Sequence, residues 1–212
     1  MPDKLLVVIG DIVHSRIIKE RVAFDAKLQG MLSTLNARNE SILSPYTVTI
    51  GDEIQAVFRT ADHLFRDAIV ILASIYPQKM RFSYGVGTLI TPINPNQAIG
   101  MDGLAFYTAR DGIEHLKKSG DLFHISGEGI PDLRLLQSCL QLVSYQIKDW
   151  KPNRLQTLMF LQENIPVKVI AEKLNVSDQA IYKTINAGGL EVIMQLFDEI
   201  SKHLNQGLKT GP

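Results

Sequence analysis

The strongest constraint on the fold is an unbroken run of five apolar residues, Leu-Leu-Val-Val-Ile, at positions 5–9. Such a run is typical of a β-strand that is buried on both faces. A strand of this kind needs other elements packed on each side of its sheet. The run ends at Gly10-Asp11, so a carboxylate follows a buried strand. Its desolvation must be offset by water, a hydrogen-bond donor or a cation.

The rest of the first 130 residues alternates between helical and extended patterns. The predicted elements are a helix over about 17–38, a hairpin over 46–58, a helix over 61–75, a strand over 80–90, a helix over 104–118 and a short strand over 121–126. In the hairpin, apolar residues alternate on both sides of Gly51-Asp52, which favours a tight turn with glycine first. This order of elements predicts an α/β domain.

A long helix is predicted to begin at Pro131 and to continue through Trp150. Its apolar residues recur at alternating steps of three and four and form a seam suited to another helix. The seam residues are Leu133, Leu136, Leu140, Val143, Ile147 and Trp150. Lys151-Pro152-Asn153 breaks the pattern. The predicted organisation is an α/β domain over 1–130, a connecting helix over 131–150 and a small all-α domain over 151–212.

Composition narrows the class of protein. The 212 residues are 45% hydrophobic and 21% charged, which allows a sizeable core and argues against disorder. The formal net charge is zero, so no global field draws the chain to nucleic acid or membrane. Cys139 is the single cysteine and cannot form an internal disulfide, which fits a reducing compartment. We find no signal peptide or membrane span and expect a soluble, cytoplasmic protein.

Acidic residues follow two of the predicted strands. Asp11 ends the first strand, and Asp52 and Glu53 lie at the hairpin turn. If the hairpin lies beside the first strand, these carboxylates meet at one edge of the sheet and repel one another unless a cation neutralises them. Carboxylate oxygens, completed by water and phosphate, are the usual ligands of Mg²⁺, and Mn²⁺ is the alternative ion. We therefore expect a metal site of Asp11, Asp52 and Glu53.

The segment after Asp11 suggests phosphate binding. It reads Ile-Val-His-Ser-Arg and leads into the predicted helix, whose N-terminal N–H groups can bind phosphate. Arg16 can add a bidentate contact, and His14 and Ser15 lie beside it. A competing interpretation is structural, because an aspartate after a strand often caps a helix and Gly-Asp is a common turn.

Four stretches of the first 150 residues resemble the SatD family of bacterial proteins. They are GDIVHSR, TIGDEIQAVF, GVGTL and GMDGLAFYTARDGI. The same order is more distantly similar to the palm-type core of class III nucleotidyl cyclases and GGDEF diguanylate cyclases. That resemblance implies a ferredoxin-like α/β sandwich in which Asp11 and Asp52 hold metal ions.

The resemblance to the cyclases also has departures. It aligns Arg110 with an arginine that stabilises the transferring phosphates. Phe106 then stands where the cyclases carry a phosphate-binding asparagine, and Ile50 stands where the first glycine of the GGDEF signature belongs. The resemblance thus implies metal and phosphate binding more than cyclisation.

Residues 154–187 predict three short helices with a tight turn at Asn175-Val176. Pro166 suits the first position of the second helix, and Ser177 suits the cap of the third. The stretch resembles the helix-turn-helix units of bacterial regulators and of sigma factors. The candidate DNA-binding residues are Ser177, Asp178, Gln179, Tyr182, Lys183 and Asn186. The alternative is a three-helix domain that binds protein or dimerises.

Together these patterns predict a DNA-binding regulatory protein controlled by a nucleotide or by its own dimerisation. A homodimer is expected, with the 133–150 seam and the palm-like domain as its candidate surfaces. The alternative is a metal-dependent nucleotidyl cyclase or nucleotidyltransferase-like enzyme with an accessory helical domain. A third possibility is a degenerate palm that serves only for dimerisation.

Overall fold

A computed structural model describes residues 3–49 and 52–209 of the chain. Five strands form one sheet in the order β2-β3-β1-β4-β5. The strands are β1 (Leu5–Ile12), β2 (Ile42–Val48), β3 (Glu53–Phe58), β4 (Met80–Gly87) and β5 (Phe123–Gly127). The pairs are antiparallel except that β4 and β5 are parallel. The strand buried on both faces, β1, therefore lies at the centre, as its apolar run predicts.

Helices cover both faces of this sheet. Alternate side chains of β1 point to opposite faces, and they enter two separate hydrophobic clusters. Leu6 and Val8 belong to the cluster that contains α1 (Arg21–Arg38) and α2 (Leu64–Ile75). Val7 and Ile9 belong to the cluster that contains α3 (Leu104–Ser119). The predicted α/β class is confirmed, and the arrangement is consistent with a palm-like core.

Small residues let α3 lie close against β4. A Cβ atom built on Gly85 would lie 2.7 Å from the backbone nitrogen of Ala109, and one on Gly87 would lie 2.8 Å from that of Ala105. Gly112 of α3 meets Ser83 in the same way. Larger side chains at these positions would push the helix away from the sheet.

The C-terminal third of the chain is helical. Its helices are α4 (Leu133–Ile147), α5 (Pro152–Gln162), α6 (Val167–Leu174), α7 (Asp178–Gly188) and α8 (Leu190–Lys209). The hydrophobic core is continuous across Lys151, since Phe65 of α2 stacks on Phe197 of α8 with ring centroids 4.5 Å apart. A separate helix-turn-helix domain is therefore not confirmed, and the proposed domain limits stay a prediction.

The predicted seam of α4 packs inside its own chain. Its buried side chains join the main core, and the helix lies along β5. Ser144 Oγ accepts hydrogen bonds from the N–H groups of Leu122 and Phe123 at 3.1 and 3.3 Å, and Gln137 Oε1 accepts from Ile125 at 3.0 Å. The helix thus closes the open edge of the sheet. The expectation that this seam is a dimer surface is wrong, because the seam is already buried.

Several predicted boundaries differ from the structure. The first helix begins at Arg21, not near residue 17, because a 3-10 turn (Ser15–Ile17) comes first. Pro166 is the N-cap of α6 and not its first residue. Ile50 and Gly51 lie outside the described residues, but Thr49 N–H donates to the oxygen of Glu53 at 2.9 Å and closes the hairpin.

α2 carries a buried carboxyl group. Asp67 has no exposed surface, and its Oδ2 accepts hydrogen bonds from Asn39 Nδ2 at 3.2 Å and from the Tyr46 hydroxyl at 3.4 Å. Burial raises the pKa of Asp67 to about 6, against the opposing charge of Arg66 3.6 Å away. Folded Asp67 therefore keeps its proton at pH values where the unfolded chain has lost it.

This burial predicts a pH dependence of stability. Between about pH 4 and 6 the folded state binds more protons than the unfolded state, so the contribution of Asp67 falls as the pH rises. The free energy of unfolding of Asp67→Asn, relative to the wild type, should increase by about 2 kcal/mol over this range. Urea unfolding at a series of pH values measures it, and a difference that does not vary with pH would contradict the account.

His124 provides a control of opposite sign. Burial, and then the charge of His115, lower the pKa of His124 to about 4. The unfolded chain takes up this proton first as the pH falls below about 6.5, so the folded state loses stability toward acid. Relative to the wild type, His124→Gln should gain stability as the pH falls through the same window.

Candidate functional site

The three predicted acidic ligands lie at one edge of the sheet. Asp11 in β1 is the cross-strand partner of Glu53 in β3. Asp52 directly precedes β3, and its backbone oxygen accepts a hydrogen bond from the N–H of Ile12 at 3.1 Å. Its carboxylate accepts a hydrogen bond from Ser15 Oγ. The fold thus brings these carboxylates together, while their role as metal ligands stays a prediction.

Three cations surround these acids. Arg81 Nη1 lies 2.8 Å from Asp11 Oδ2, and Lys117 Nζ lies 3.8 Å from Asp11 Oδ1. Arg110 Nη1 forms an ion pair with Glu53 Oε2. We call this group the rim cluster: Asp11, Asp52, Glu53, Arg81, Arg110 and Lys117. Each charge of one sign at this edge lies near charges of the other sign, so an anionic ligand and a cation can both find partners here.

The position of α3 explains the cluster. Arg110 and Lys117 are seven residues apart and therefore lie on one face of this helix, above the sheet edge. Arg81 points to the same side because it alternates with the core residues of β4. Sequence reasoning missed Arg81 and Lys117. Lys117 could have been found from the sequence, because it lies seven residues after Arg110 on the same predicted helix. Arg81 could not, because its position beside Asp11 depends on the pairing of β4 with β1.

Asp11 is the buried acid of the rim cluster. Only 5% of the residue is exposed, and burial raises the pKa of its carboxyl group above the ordinary value. The hydrogen bond from Arg81 and the charges of Lys117 and Arg81 act in the opposite direction, and the charge of Asp52 adds to the rise. Burial outweighs the two cations, so a further cation beside Asp11 would stabilise its charged form.

The donor set fits a divalent cation only in part. Within residues 3–49 and 52–209, no group of three or more His, Cys, Asp and Glu side chains is arranged to hold a metal ion. Asp11 is turned to Arg81, and Asp52 to Ser15. Mg²⁺ accepts one or two carboxylates when phosphates and waters complete its shell. The residues present therefore fit a cation that arrives together with a phosphate.

The predicted phosphate segment is a turn and not a helix N-terminus. The N–H groups of Ile17 and Ile18 bond to the oxygens of His14 and Ser15 inside the 3-10 turn, and α1 begins only at Arg21. The expectation that this segment leads directly into the N-terminus of a helix is therefore wrong. His14 and Arg16 are exposed beside the rim, and Ser15 contacts Asp52.

A cleft of about 730 Å³ adjoins the rim cluster. Glu53 and Arg110 line it where it adjoins the rim cluster, and Ile99, Met101 and Phe106 supply an apolar wall. Gln55 also lines it. With its amide nitrogen toward the oxygen of Ala98 at 3.1 Å, its amide oxygen accepts from Arg110 Nη2 at 3.0 Å. A charged end and an apolar wall suit a ligand that has both a phosphate and a ring.

A larger cleft, of about 1020 Å³, lies at the opposite end of β1. It is lined by Lys4 and Arg59 among others, and its acids Asp3 and Asp62 are exposed. No buried carboxylate of the described residues lines it. We therefore place the candidate site at the rim cluster, although the cleft there is smaller.

The predicted DNA-binding residues lie along α7. Ile181 and Ile185 are buried against the neighbouring helices, and Ser177 caps α7 by accepting a hydrogen bond from Ala180 N–H at 3.2 Å. All six candidates are exposed: Ser177, Asp178, Gln179, Tyr182, Lys183 and Asn186. The structure brings them onto one surface, and their contact with DNA stays a prediction.

Comparisons with known proteins identify the family. The fold is that of an α/β protein with a five-stranded sheet, consistent with a palm-like core, and a helical C-terminal part. The model of the SatD family matches residues 5–202, and the chain belongs to that family. This confirms the resemblance seen in the sequence. No curated protein matches the chain. None of the comparisons supports the resemblance of residues 154–187 to a helix-turn-helix.

One solved structure is similar over part of the chain. It is a bacterial light-regulated adenylyl cyclase, at 13% identity and a TM-score of 0.39. The alignment covers 59% of this chain and 44% of that one, so this chain spans less than half of that protein. Separately, none of the helices in the described residues combines the length and apolarity that crossing a membrane requires.

The two arginines of the rim cluster should contribute unequally to stability. The side chains of Arg81 and Asp11 are only 16% and 8% exposed, so Arg81→Met leaves the buried carboxylate with only the more distant Lys117 and should cost about 3 kcal/mol. Arg110 is 46% exposed, and Arg110→Met should cost less than about 1 kcal/mol. Denaturant unfolding at neutral pH measures both changes.

The double variant Asp11→Asn/Arg81→Met tests whether the buried carboxylate of Asp11 causes the cost of Arg81→Met. Removing both charges should recover most of the loss, because no buried charge is left without a partner. The cost of Arg81→Met should also shrink in acid, where Asp11 is protonated. Equal costs for the two arginine variants, or strictly additive single changes, would show that Asp11 and Arg81 do not depend on each other.

Proposed function

We propose that this SatD-family protein is a DNA-binding regulator whose palm-like domain binds a nucleotide together with Mg²⁺ or Mn²⁺. The observation that carries the proposal is the rim cluster beside the 730 Å³ cleft. Its acids suit the metal, its arginines suit the phosphates, and the apolar wall suits the base.

The proposed binding mode uses residues from β1, the 3-10 turn, the start of β3 and α3. Asp11 and Asp52 hold the divalent ion, with Glu53 beside them. Arg110 exchanges its contact with Glu53 for a phosphate oxygen, and Ser15 and Arg16 contact the outer phosphates. The metal supplies charge neutralisation between the carboxylates and the phosphates, which is why neither ligand is expected to bind well alone.

A thermal-shift screen tests nucleotide binding. ATP and GTP are each added with and without Mg²⁺ or Mn²⁺. We expect stabilisation only when nucleotide and metal are both present, by about 2.7 kcal/mol at a hundredfold excess over the dissociation constant. Asp11→Asn should remove the metal-dependent part of the shift. Asp3→Asn, in the cleft at the other end of β1, is the matched control and should leave the shift unchanged.

Two outcomes would contradict nucleotide binding at the rim. One is the absence of any shift with all combinations of nucleotide and metal. The other is a shift that Asp11→Asn leaves intact and Asp3→Asn removes, which would move the site to the larger cleft.

A catalytic palm is the competing hypothesis, and the site disfavours it. Phe106 lines the cleft with a ring that donates no hydrogen bond to a transferring phosphate. Arg110 must give up its contact with Glu53 before it binds a phosphate, so it is not aimed in advance at the transferring group. Donors aimed in advance at the developing charge are a main source of catalysis in phosphoryl transfer. Cyclic product formed from ATP or GTP at ordinary enzyme rates would favour the enzyme instead.

DNA binding is proposed for the exposed face of α7. Gln179, Tyr182 and Asn186 offer hydrogen-bonding groups for base edges, and Lys183 offers a charge for phosphate. Because the chain has no net charge, each phosphate contact matters more to its affinity. One continuous core joins α2 to α5 and α8. This continuity supports the proposal that ligand binding to the palm-like domain affects the DNA-binding face.

Two substitutions on α7 distinguish specific DNA contacts from general ones. Lys183→Ala should weaken binding to every sequence and reduce the salt dependence by about one unit of slope. Gln179→Ala should instead relax the preference at one base position. Lys202→Ala, on the exposed face of α8, is the control and should change neither quantity. Fluorescence polarisation over genomic fragments at low salt measures all three, and failure of every fragment to bind would favour a protein-interaction module.

A further inference from the structure

The outer face of α4 is apolar and almost without charge. Leu135, Leu142 and Tyr145 are 63%, 69% and 66% exposed on the side opposite the buried seam. With Ser138 they recur at steps of three, four and three, the spacing of a second helix-packing seam. Arg134 is the single charged residue of the helix. Depletion of charge around exposed large apolar side chains is the composition of an interface core.

We propose that this outer face binds the same face of a second copy of the chain, with the two α4 helices antiparallel. A two-fold axis between Gln141 and Leu142 places Arg134 of one copy opposite Asp149 of the other, twice. Arg134 and Asp149 are both exposed, one at each end of α4. The proposal does not depend on nucleotide or DNA binding.

Charge and size complementarity select this arrangement. A parallel pair of helices would place the Arg134 residues of the two copies opposite each other. The antiparallel pair brings opposite charges together instead. The same axis places the small Ser138 opposite the large Tyr145, which suits interdigitating side chains. Tyr145 is already held by Lys148, whose Nζ lies 4.5 Å from the ring centroid. The ring therefore loses little freedom on association.

The expected dimer interface is small, so dimer formation should depend on protein concentration. The helix is about 22 Å long, so one helix pair lies below the area of a standard stable interface. The buried seam of α4 leaves this outer face free, since α4 contacts β5 and α8 with its other side. Association thus adds a layer to the sheet edge without opening the fold.

Sedimentation velocity of the full chain over a wide range of concentrations tests the proposal. The wild type should show a monomer–dimer equilibrium. Leu142→Arg places like charges at the axis and should give a monomer, and Leu142→Gln should weaken association without adding charge. Val192→Arg makes the same change at a 67% exposed site on α8 and should leave the equilibrium unchanged.

A charge exchange tests the antiparallel geometry. Arg134→Asp and Asp149→Arg should each weaken the dimer at least about tenfold, since each change sets like charges opposite one another twice. The double variant should restore it. A chain that is monomeric at every concentration, a dimer that tolerates Leu142→Arg, or a double variant as weak as the single ones would overturn the proposal.

Discussion

The close crossing of α3 over β4 is the constraint on which the candidate site depends. Gly85, Gly87 and Gly112 remove the side chains that would otherwise separate the helix from the sheet. Because α3 lies this close to the sheet, Arg110 and Lys117 reach the carboxylates at the ends of β1 and β3. A side chain at Gly85 would move the helix outward and weaken the ion pairs that Arg110 and Lys117 make with the acids of the rim cluster.

A second constraint joins the two ends of the molecule. Phe65 of α2 contacts Tyr84 of the sheet and stacks on Phe197 of α8, so the sheet and the C-terminal helices share one core. A change in the packing of α2 therefore alters the packing of both the sheet and the C-terminal helices. α4 closes the edge of the sheet through Ser144 and Gln137 and presents its other face outward. This arrangement separates the proposed ligand site, the proposed DNA face and the proposed dimer face onto three surfaces.

Periodicity in the sequence predicted much of the fold, and the reasons for its failures are physical. The apolar run at 5–9 and the alternation around the hairpin describe single elements, and local patterns suffice for these. The prediction of what packs against the α4 seam was wrong, because periodicity reveals which residues are buried but not which elements bury them. The start of α1 was wrong because a 3-10 turn keeps part of the helical spacing.

The site was predictable only in part from the order of elements. Asp11 lies at the end of β1, and Asp52 and Glu53 lie at the turn of the β2–β3 hairpin, so they meet once that hairpin is placed beside β1. Arg81 reaches Asp11 only because β4 pairs with β1 in one register. That register is set by packing across the whole sheet, which no short stretch of sequence reports.

The most direct test of the central claim is hydrogen–deuterium exchange of the chain with a nucleotide and Mg²⁺. The account predicts slower exchange in three segments: the end of β1, the start of β3 and the length of α3. It predicts no change around Lys4 and Arg59. Protection confined to that other cleft, or no protection anywhere in the palm-like domain, would contradict a ligand site built on the rim cluster.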